Sequence, residues 1–219
     1  MGKPDIIYED NDIIVCYKPA GIATQTRRIG QQDMESFIRN YRAAKNEPPY
    51  VGIVHRLDQP VEGVMVFAKN QKAAASLSRQ IKEHTTEKYY RAASRGQGVS
   101  GADKKEDNHD PAWHTLTDYI SFDKRTNTSK ITSEKDRLAK KAVLQYRILS
   151  NECNKTEFDI KLLTGRHHQI RLQLANIGYP LIGDTKYGGE TAREQLALCS
   201  YKLVFDHPAT GERMTFELP

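Results

Sequence analysis

Short runs in which polar and apolar residues alternate, separated by glycine and proline bends, constrain the fold of this chain more than any other feature. The alternation has a period of two through residues 114–121, 141–149 and 156–164, as in antiparallel strands with one face in solvent. Apolar or β-branched runs predict further strands at residues 12–18, 51–58, 63–69, 88–93, 201–205 and 214–218. Helical periodicity is confined to residues 33–41, 70–84 and 166–177, with Asp33 and Asn70 as expected N-caps and Gly178 as the expected stop of the last helix. The expected class is therefore α+β, with a mixed, mostly antiparallel sheet.

Length and composition are those of a globular protein that can fill a core. The 219 residues are 38% hydrophobic and 28% charged, and their number fits one large domain or two lobes that share a core. We treat residues 1–219 as a single domain. Around residues 94–113, glycine, lysine and acidic residues cluster without an apolar period, which predicts a loop insertion.

Several classes of protein are excluded at this stage. No window approaches the roughly 18 consecutive apolar residues of a membrane helix, and the first residues lack the layout of a signal peptide, so we expect a cytoplasmic protein without a membrane partner. Cys16, Cys153 and Cys199 show no paired spacing, which indicates neither a disulfide framework nor a cysteine zinc site.

The positive charge of the chain is concentrated in one segment. The net charge of the whole chain is +5, whereas residues 124–147 hold eight basic and two acidic residues, Lys140 and Lys141 among the basic ones. A polyanion such as RNA is attracted to such a surface. The alternative is a solvated hairpin whose charges keep the protein soluble.

Two short segments carry candidate catalytic side chains. In an extended strand over residues 51–58, Arg56 and Asp58 point to one face and His55 to the other; the alternative is a surface ion pair of little energetic value. Residues 164–171 place Arg166 in the expected first turn of a helix, where a cation is mildly unfavourable. It then needs a partner, either a carboxylate such as Asp58 or an RNA phosphate, unless it simply faces water.

Metal chemistry is not expected. His167 and His168 would point about 100° apart on a helix, and the chain has no HExxH or HxH pattern. His55 is interpreted as a structural histidine with its polar atoms satisfied inside the protein.

Six segments, in family order, resemble the RluA family of RNA pseudouridine synthases. They are residues 55–58 (HRLD), 88–92 (the pattern K-x-Y-x-A), 164–171 (TGRHHQIR against TGRTHQIR), 178–188 (the pattern GHPLLGD…YG), 13–21 (a strand ending in KPAG) and 207–212 (HPATGE). The resemblance implies a sheet in two lobes that flank a central catalytic cleft. It also implies isomerisation of uridine in ribosomal or transfer RNA, without a cofactor.

The resemblance also implies roles for individual residues. Asp58 acts on the ribose, either as a nucleophile at the anomeric carbon or as a base that removes a sugar proton. Arg166 holds Asp58 ionised, Tyr90 stacks on the uracil, and Arg56 fills the space that the flipped base leaves; the alternative for Tyr90 is a core position. Further expected RNA-contacting or supporting residues are Lys18, His55, Leu57, Lys140, Lys141, Gln169 and Arg171. For Lys18 a surface ion pair is the alternative, and for Gln169 and Arg171 the choice is between supporting the site and contacting phosphate.

The sequence departs from the family pattern at two places. Residues 59–62 (QPVE) replace a Thr-Ser-Gly bend, and His167 stands where the family has threonine. An RNA-binding or ribosome-assembly module without turnover is therefore the second hypothesis, and metal-dependent phosphoryl transfer is the third. We expect a monomer, without the small RNA-binding domain that often precedes the catalytic domain in this family.

Overall fold

The computed structural model describes residues 4–26, 28, 30–95, 112–152, 154–188 and 194–219. Most of the loop insertion expected around 94–113 lies outside the described residues. The chain divides into two compact units, a first unit of Met1–Glu87 with Ser200–Pro219 and a second unit of Lys88–Cys199. Among the described residues, no helix combines the length and apolar character needed to cross a bilayer.

The described elements are, in chain order, β1 (Asp5–Glu9), β2 (Ile13–Lys18), α1 (Met34–Ala44), β3 (Gly52–Ile53), β4 (Glu62–Ala68), α2 (Gln71–Lys82), β5 (Glu87–Ser94), β6 (His114–Asp123), β7 (Thr128–Thr132), β8 (Lys140–Glu152), β9 (Lys155–Leu162), α3 (Gln169–Asn176), β10 (Leu198–Asp206) and β11 (Arg213–Glu217). Strands β1, β7 and the first residues of β10 were not expected from the sequence. The α+β class is confirmed.

The first unit is built on strands in the order β1-β2-β4-β10-β11, with β3 also pairing with β4. The pairings of β1 with β2, β2 with β4, β3 with β4 and β10 with β11 are antiparallel. One cluster of its core is formed by nine buried apolar side chains: Ile13, Val15, Val64, Val66, Ala68, Ala73, Leu77, Leu203 and Phe205. Cys16 is buried and is not in a disulfide.

Both helices of the first unit begin where the sequence predicts. The Asp33 carboxylate accepts from the Ser36 amide at 2.8 Å, and the Ser36 hydroxyl accepts from the Asp33 amide at 3.0 Å, which completes a capping box on α1. Asn70 caps α2 by accepting from the Ala73 amide at 2.8 Å. These starts are set by local side chains, which explains why sequence reasoning finds them.

The strand predicted over residues 51–58 is wrong beyond Ile53. Residues 54–58 have no regular secondary structure, because side chains rather than a neighbouring strand satisfy the backbone there. The Leu57 amide donates to the Thr24 hydroxyl at 3.2 Å, and that hydroxyl donates to the Leu57 carbonyl at 2.9 Å. The expected alternation nevertheless survives in the burial, with Arg56 exposed, Leu57 buried and Asp58 half-buried.

The second unit has strands in the order β5-β9-β8-β6-β7, and every one of these pairings is antiparallel. One face of the β8-β6-β7 ribbon packs on α3, where the Gln173 amide group donates to the Asp118 carboxylate at 2.7 Å and to the Ala142 carbonyl at 3.5 Å. The other face of the ribbon is partly or fully exposed at most positions, as the alternating pattern predicts.

Helix α3 begins at Gln169, so the predicted start at residue 166 is wrong. His168 has a φ of 55°, a left-handed conformation that ends the preceding turn. The rings of His167 and His168 stack with centroids 3.7 Å apart, so the helical separation expected for these two side chains is also wrong. The helix ends as predicted, before Gly178 with a φ of 89°.

Candidate active site

The segment His55–Asp58 is an irregular stretch of the first unit fixed at its centre. Leu57 is 6% exposed, and both its backbone amide and its backbone carbonyl are hydrogen-bonded to the Thr24 hydroxyl. The Asp58 carbonyl accepts from the Val61 amide at 3.0 Å, which closes a turn directly after the motif. Leu57 therefore acts as an anchor that holds Arg56 and Asp58 at fixed positions on either side.

His55 supports the same segment from its other end. Its Nε2 accepts a hydrogen bond from the Val66 amide of β4 at 3.1 Å. A ring nitrogen that accepts from the backbone is not available to bind phosphate as a donor. This contact favours the structural interpretation of His55 over a direct RNA contact.

Lys18 is fully buried, so the surface ion pair considered for it is wrong. Its ammonium donates to the carbonyls of Pro19 at 3.1 Å, Ile22 at 2.7 Å and Gln59 at 3.2 Å. Burial lowers the pKa of Lys18 to about 8, while the negative charges of Asp58 and Glu62 act in the opposite direction. The negative charge of Asp58 therefore acts on the Lys18 ammonium, and the two side chains attract each other.

In the second unit, the loop between β9 and α3 is closed by a buried glutamine. The Gln169 Oε1 accepts from the Thr164 hydroxyl at 2.8 Å and from the Arg166 amide at 3.0 Å, and its Nε2 donates to Gln173. The Val143 amide of β8 donates to the Thr164 hydroxyl at 2.8 Å. These bonds position the backbone of Arg166, which gives the motif at 164–171 a physical explanation.

Arg166 precedes α3 rather than lying in its first turn. Its Nε donates to the carbonyl of Lys141 at 2.8 Å, so a backbone acceptor on β8 meets part of the expected need for a partner. The side chain is half-buried. Lys140 and Lys141 themselves are exposed at the start of β8.

Arg171 and Asp184 form a buried ion pair. The Arg171 Nε and Nη2 atoms donate to the two Asp184 oxygens at 2.8 and 2.6 Å, and the side chains are 4% and 0% exposed. Burial by itself raises the pKa of Asp184, but Arg171 and the amides of Lys186 and Tyr187 outweigh it and lower the pKa below its usual range. Together with the burial of Gln169, this favours the supporting role for both Gln169 and Arg171 over a phosphate contact.

The rings of Tyr187 and His168 lie next to the ion pair of Arg171 and Asp184. The Arg171 guanidinium lies over the Tyr187 ring at 5.4 Å, and the Tyr187 hydroxyl is 2.9 Å from the Nδ1 of His168. Burial, helped by the positive charges of Arg171, His167 and Lys186, lowers the pKa of His168 to about 3. His168 is therefore neutral at physiological pH.

Tyr90 lies in β5 of the second unit, paired with Ile160 of β9. It is 6% exposed. Both the core position and the stacking role foreseen from the sequence are compatible with this burial, and stacking on uracil stays a prediction.

One titratable cluster was not foreseen. Asp10, Asp12 and His207 bring ligand atoms within 4.8 Å of one another in the first unit. The His207 Nδ1 accepts from the Thr210 amide at 3.2 Å, so its Nε2 carries the proton that it donates to Asp10 at 2.8 Å. We interpret the cluster as a structural hydrogen-bonded contact that links the turn after β1 to the turn after β10. No local pattern could reveal it, because its members are distant in sequence.

Comparison with known proteins identifies the family. Residues 12–176 match the family described as RNA pseudouridylate synthase. The chain belongs to this RNA pseudouridylate synthase family. It is 33% identical to the uncharacterized RNA pseudouridine synthase YhcT of Bacillus subtilis, covering 100% of this chain and 69% of that protein. It is 34% identical to the ribosomal large subunit pseudouridine synthase D of Pseudomonas aeruginosa, covering 98% and 68%.

Solved structures give the same fold. Human RNA pseudouridylate synthase domain containing 4 superposes with a TM-score of 0.73 at 20% identity, covering 98% of this chain and 88% of that one. Human RNA pseudouridylate synthase domain containing 1 gives 0.74 at 24% identity, covering 99% and 83%. The expected family, the pseudouridine synthase fold and the enzymatic class are confirmed: the pseudouridylate synthase described here is an isomerase that converts uridine in RNA to pseudouridine.

Proposed function

We propose that Asp58 is the catalytic group of this pseudouridylate synthase. The observation that carries the proposal is the placement of its carboxylate, half-buried beside the anchored Leu57 and within the field of the buried Lys18 ammonium. Lys18 also donates to the Gln59 carbonyl at 3.2 Å, directly after the aspartate. A fixed backbone and a nearby positive charge are what an ionised nucleophile or base needs.

The reaction is an internal rearrangement, and its balance needs no added group. The bond from N1 of uracil to the anomeric carbon breaks, a bond from C5 to that carbon forms, a proton leaves C5, and N1 ends protonated. Asp58 acts at the sugar, either by attacking the anomeric carbon or by removing the neighbouring sugar proton. The exposed Arg56 enters the space that the extruded base leaves, where a guanidinium can stack and bind phosphate. For Tyr90 and Arg166 we keep the roles that the family resemblance implies, stacking on the extruded uracil and holding the reacting carboxylate ionised.

Ribosomal RNA is the proposed substrate, and the cytoplasm the proposed site of action. Support comes from the relatives, since the protein of Pseudomonas aeruginosa named above and a 32% identical protein of Vibrio cholerae are both ribosomal large subunit pseudouridine synthases D. Transfer RNA is the competing substrate, because the motifs at the site do not encode which RNA is bound.

The test is a tritium-release assay. Transcripts of large-subunit ribosomal RNA and of transfer RNA, labelled with tritium at C5 of uridine, are incubated with the purified protein. We expect release from the ribosomal transcript and a loss of at least ~100-fold in Asp58→Asn, the lower end of what a positioned acid or base contributes. Asp5→Asn is the matched control, because Asp5 is an exposed aspartate of the same unit, and it should release tritium at the wild-type rate.

The outcomes separate the hypotheses. Release from transfer RNA alone would replace the substrate, whereas RNA binding without release from either transcript would favour the binding module over the enzyme. Deuterium at C2′ of the target uridine divides the two roles of Asp58: a slower reaction indicates proton abstraction, and an unchanged rate indicates direct attack on the anomeric carbon.

A further inference from the structure

The basic segment identified in the sequence is largely exposed on the second unit. Seven of its eight basic residues are exposed: Lys124, Arg125, Lys130, Lys135, Arg137, Lys140 and Lys141. The eighth, Arg147, is paired with the buried Asp159 at 2.9 Å. We call the seven exposed residues the basic ribbon; they lie on the turn between β6 and β7, on β7, on the loop that follows, and at the start of β8.

Both acidic residues of the segment accept hydrogen bonds from neighbouring groups of the same unit. The Glu134 carboxylate accepts from the Tyr119 hydroxyl at 2.5 Å. Asp136 accepts from the Leu138 amide and from the Thr132 hydroxyl, both at 2.9 Å, which shapes its own loop. The charged side chains that residues 124–147 extend into solvent are therefore mainly cationic.

Strand register places two of these lysines on the same face of the sheet. Tyr119 pairs with Lys141 on one side and with Thr132 on the other, and Lys130 lies two residues before Thr132. Side chains at directly paired positions, and at every second position, share a face. Lys130 and Lys141 thus project from the face opposite to α3, with Cα atoms about 12 Å apart from strand spacing and rise.

The strands that carry the basic ribbon contact the loop that holds Arg166. The Phe122 ring contacts the His167 ring at a centroid distance of 4.2 Å. The Ser129 hydroxyl donates to the His167 carbonyl at 2.9 Å and is 3.0 Å from its Nδ1. Because Arg166 also donates to the Lys141 carbonyl, two independent sets of contacts join this loop to strands β6, β7 and β8. His167, where the chain departs from the family pattern, takes part in one of these sets.

We propose that the basic ribbon is a docking surface for the phosphate backbone of the substrate RNA. Exposed lysines and arginines suit a flexible polyanion, because phosphate contacts position an RNA without reading its sequence. The contacts between these strands and the loop of Arg166 would then hold that loop beside the bound RNA. The inference rests on the proposed RNA substrate and adds the surface that holds it.

The test measures the affinity of the protein for RNA at a series of salt concentrations. The substituted protein carries Lys130→Gln, Lys140→Gln and Lys141→Gln, and the probe is a transcript of a large-subunit ribosomal RNA domain. Each phosphate contact contributes a slope of roughly 0.7–0.9 to log affinity against log salt, so the three substitutions should reduce the slope by about 2. From 50 to 200 mM salt, wild-type affinity should then fall about 20-fold further than that of the triple variant.

Two controls isolate the surface. Lys72→Gln, Arg79→Gln and Lys82→Gln remove the same charge from exposed positions on α2 and should leave the slope unchanged. Three lysine-to-arginine substitutions on the basic ribbon keep the charge and should retain the wild-type slope. A wild-type slope in the glutamine variant, or an equal loss in the α2 variant, would overturn the proposal, as would tighter binding to phosphatidylglycerol vesicles than to RNA.

The proposed function fails by a different observation. If Asp58→Asn retained activity, the catalytic assignment would fall whatever the salt slopes showed. If activity required Asp58 but the slopes did not respond to the basic ribbon, only the docking surface would be wrong.

Discussion

The buried pair of Arg171 and Asp184 predicts a large and specific loss of stability in Arg171→Met. The pair joins α3 to the turn at residues 184–188, where Asp184 also accepts from the Lys186 amide at 2.9 Å and the Tyr187 amide at 3.1 Å. Methionine retains much of the volume of arginine but neither of its two hydrogen bonds. The substitution therefore leaves a fully buried carboxylate without its counter-charge.

The magnitude follows from the burial of both groups. Removing one partner of a buried ion pair costs about 3–5 kcal/mol, and for a chain of this size each kcal/mol lowers the melting temperature by about 2–4 °C. We expect a decrease of about 6–20 °C. The pKa of Asp184 is lowered in the folded state, so the stabilisation is present above the ordinary aspartate pKa and disappears as the pH falls through the folded value.

Equilibrium denaturation at pH 7 and at a series of pH values below the ordinary aspartate pKa of 3.8 measures both effects. Lys155→Met is the matched control, because Lys155 pairs with Glu157 on the surface with both side chains roughly half exposed, and such pairs contribute about 0–1 kcal/mol. Replacing both buried partners, as Arg171→Met with Asp184→Leu, should recover part of the loss. A loss below about 1 kcal/mol in Arg171→Met would show that the buried pair does not stabilise the fold. A reduced salt slope for RNA binding by the same variant would indicate that Arg171 contacts phosphate.

Three further predictions concern single residues. Unfolding raises the pKa of Lys18 from about 8 to its ordinary 10.5, so stability relative to Lys18→Met should rise between pH 8 and 10.5 by about 3 kcal/mol; denaturation at both pH values checks this. His167→Thr should lower the free energy of unfolding by about 1 kcal/mol and speed amide hydrogen exchange in β6 and β7. Unchanged exchange would contradict the role of His167 in joining these strands to the loop. In Gly63→Ala the new Cβ would lie 2.2 Å from the Ser200 carbonyl oxygen, so a melting temperature within 2 °C of wild type would be incompatible with this packing.

The parts of the fold that local chemistry determines could be predicted from the sequence. The caps at Asp33 and Asn70 and the glycine stop at Gly178 depend on neighbouring residues, and the structure has all three. Alternating polarity likewise predicted the strands of the second unit and their solvated face. Strand β7 was missed because it is only five residues long and mostly polar, so it shows no alternation of polar and apolar residues.

The parts that long-range contacts determine could not be predicted. The strand expected to reach Asp58 stops early because the Thr24 hydroxyl, distant in sequence, takes its backbone hydrogen bonds. Lys18 looks like a surface residue in the sequence, and only the three carbonyls around its ammonium explain its burial. The start of α3 was misplaced because Gln169 binds the loop before it, which delays the helix by one turn.

The most direct test of the central claim is a single-turnover measurement on Asp58→Asn with the same tritium-labelled ribosomal transcript. Melting and RNA binding establish that the variant is folded and bound to substrate. We expect the transcript bound to Asp58→Asn to release no tritium above background, while the transcript bound to the wild-type protein releases it completely. Release from the bound variant at the wild-type rate would show that Asp58 does not carry the reaction.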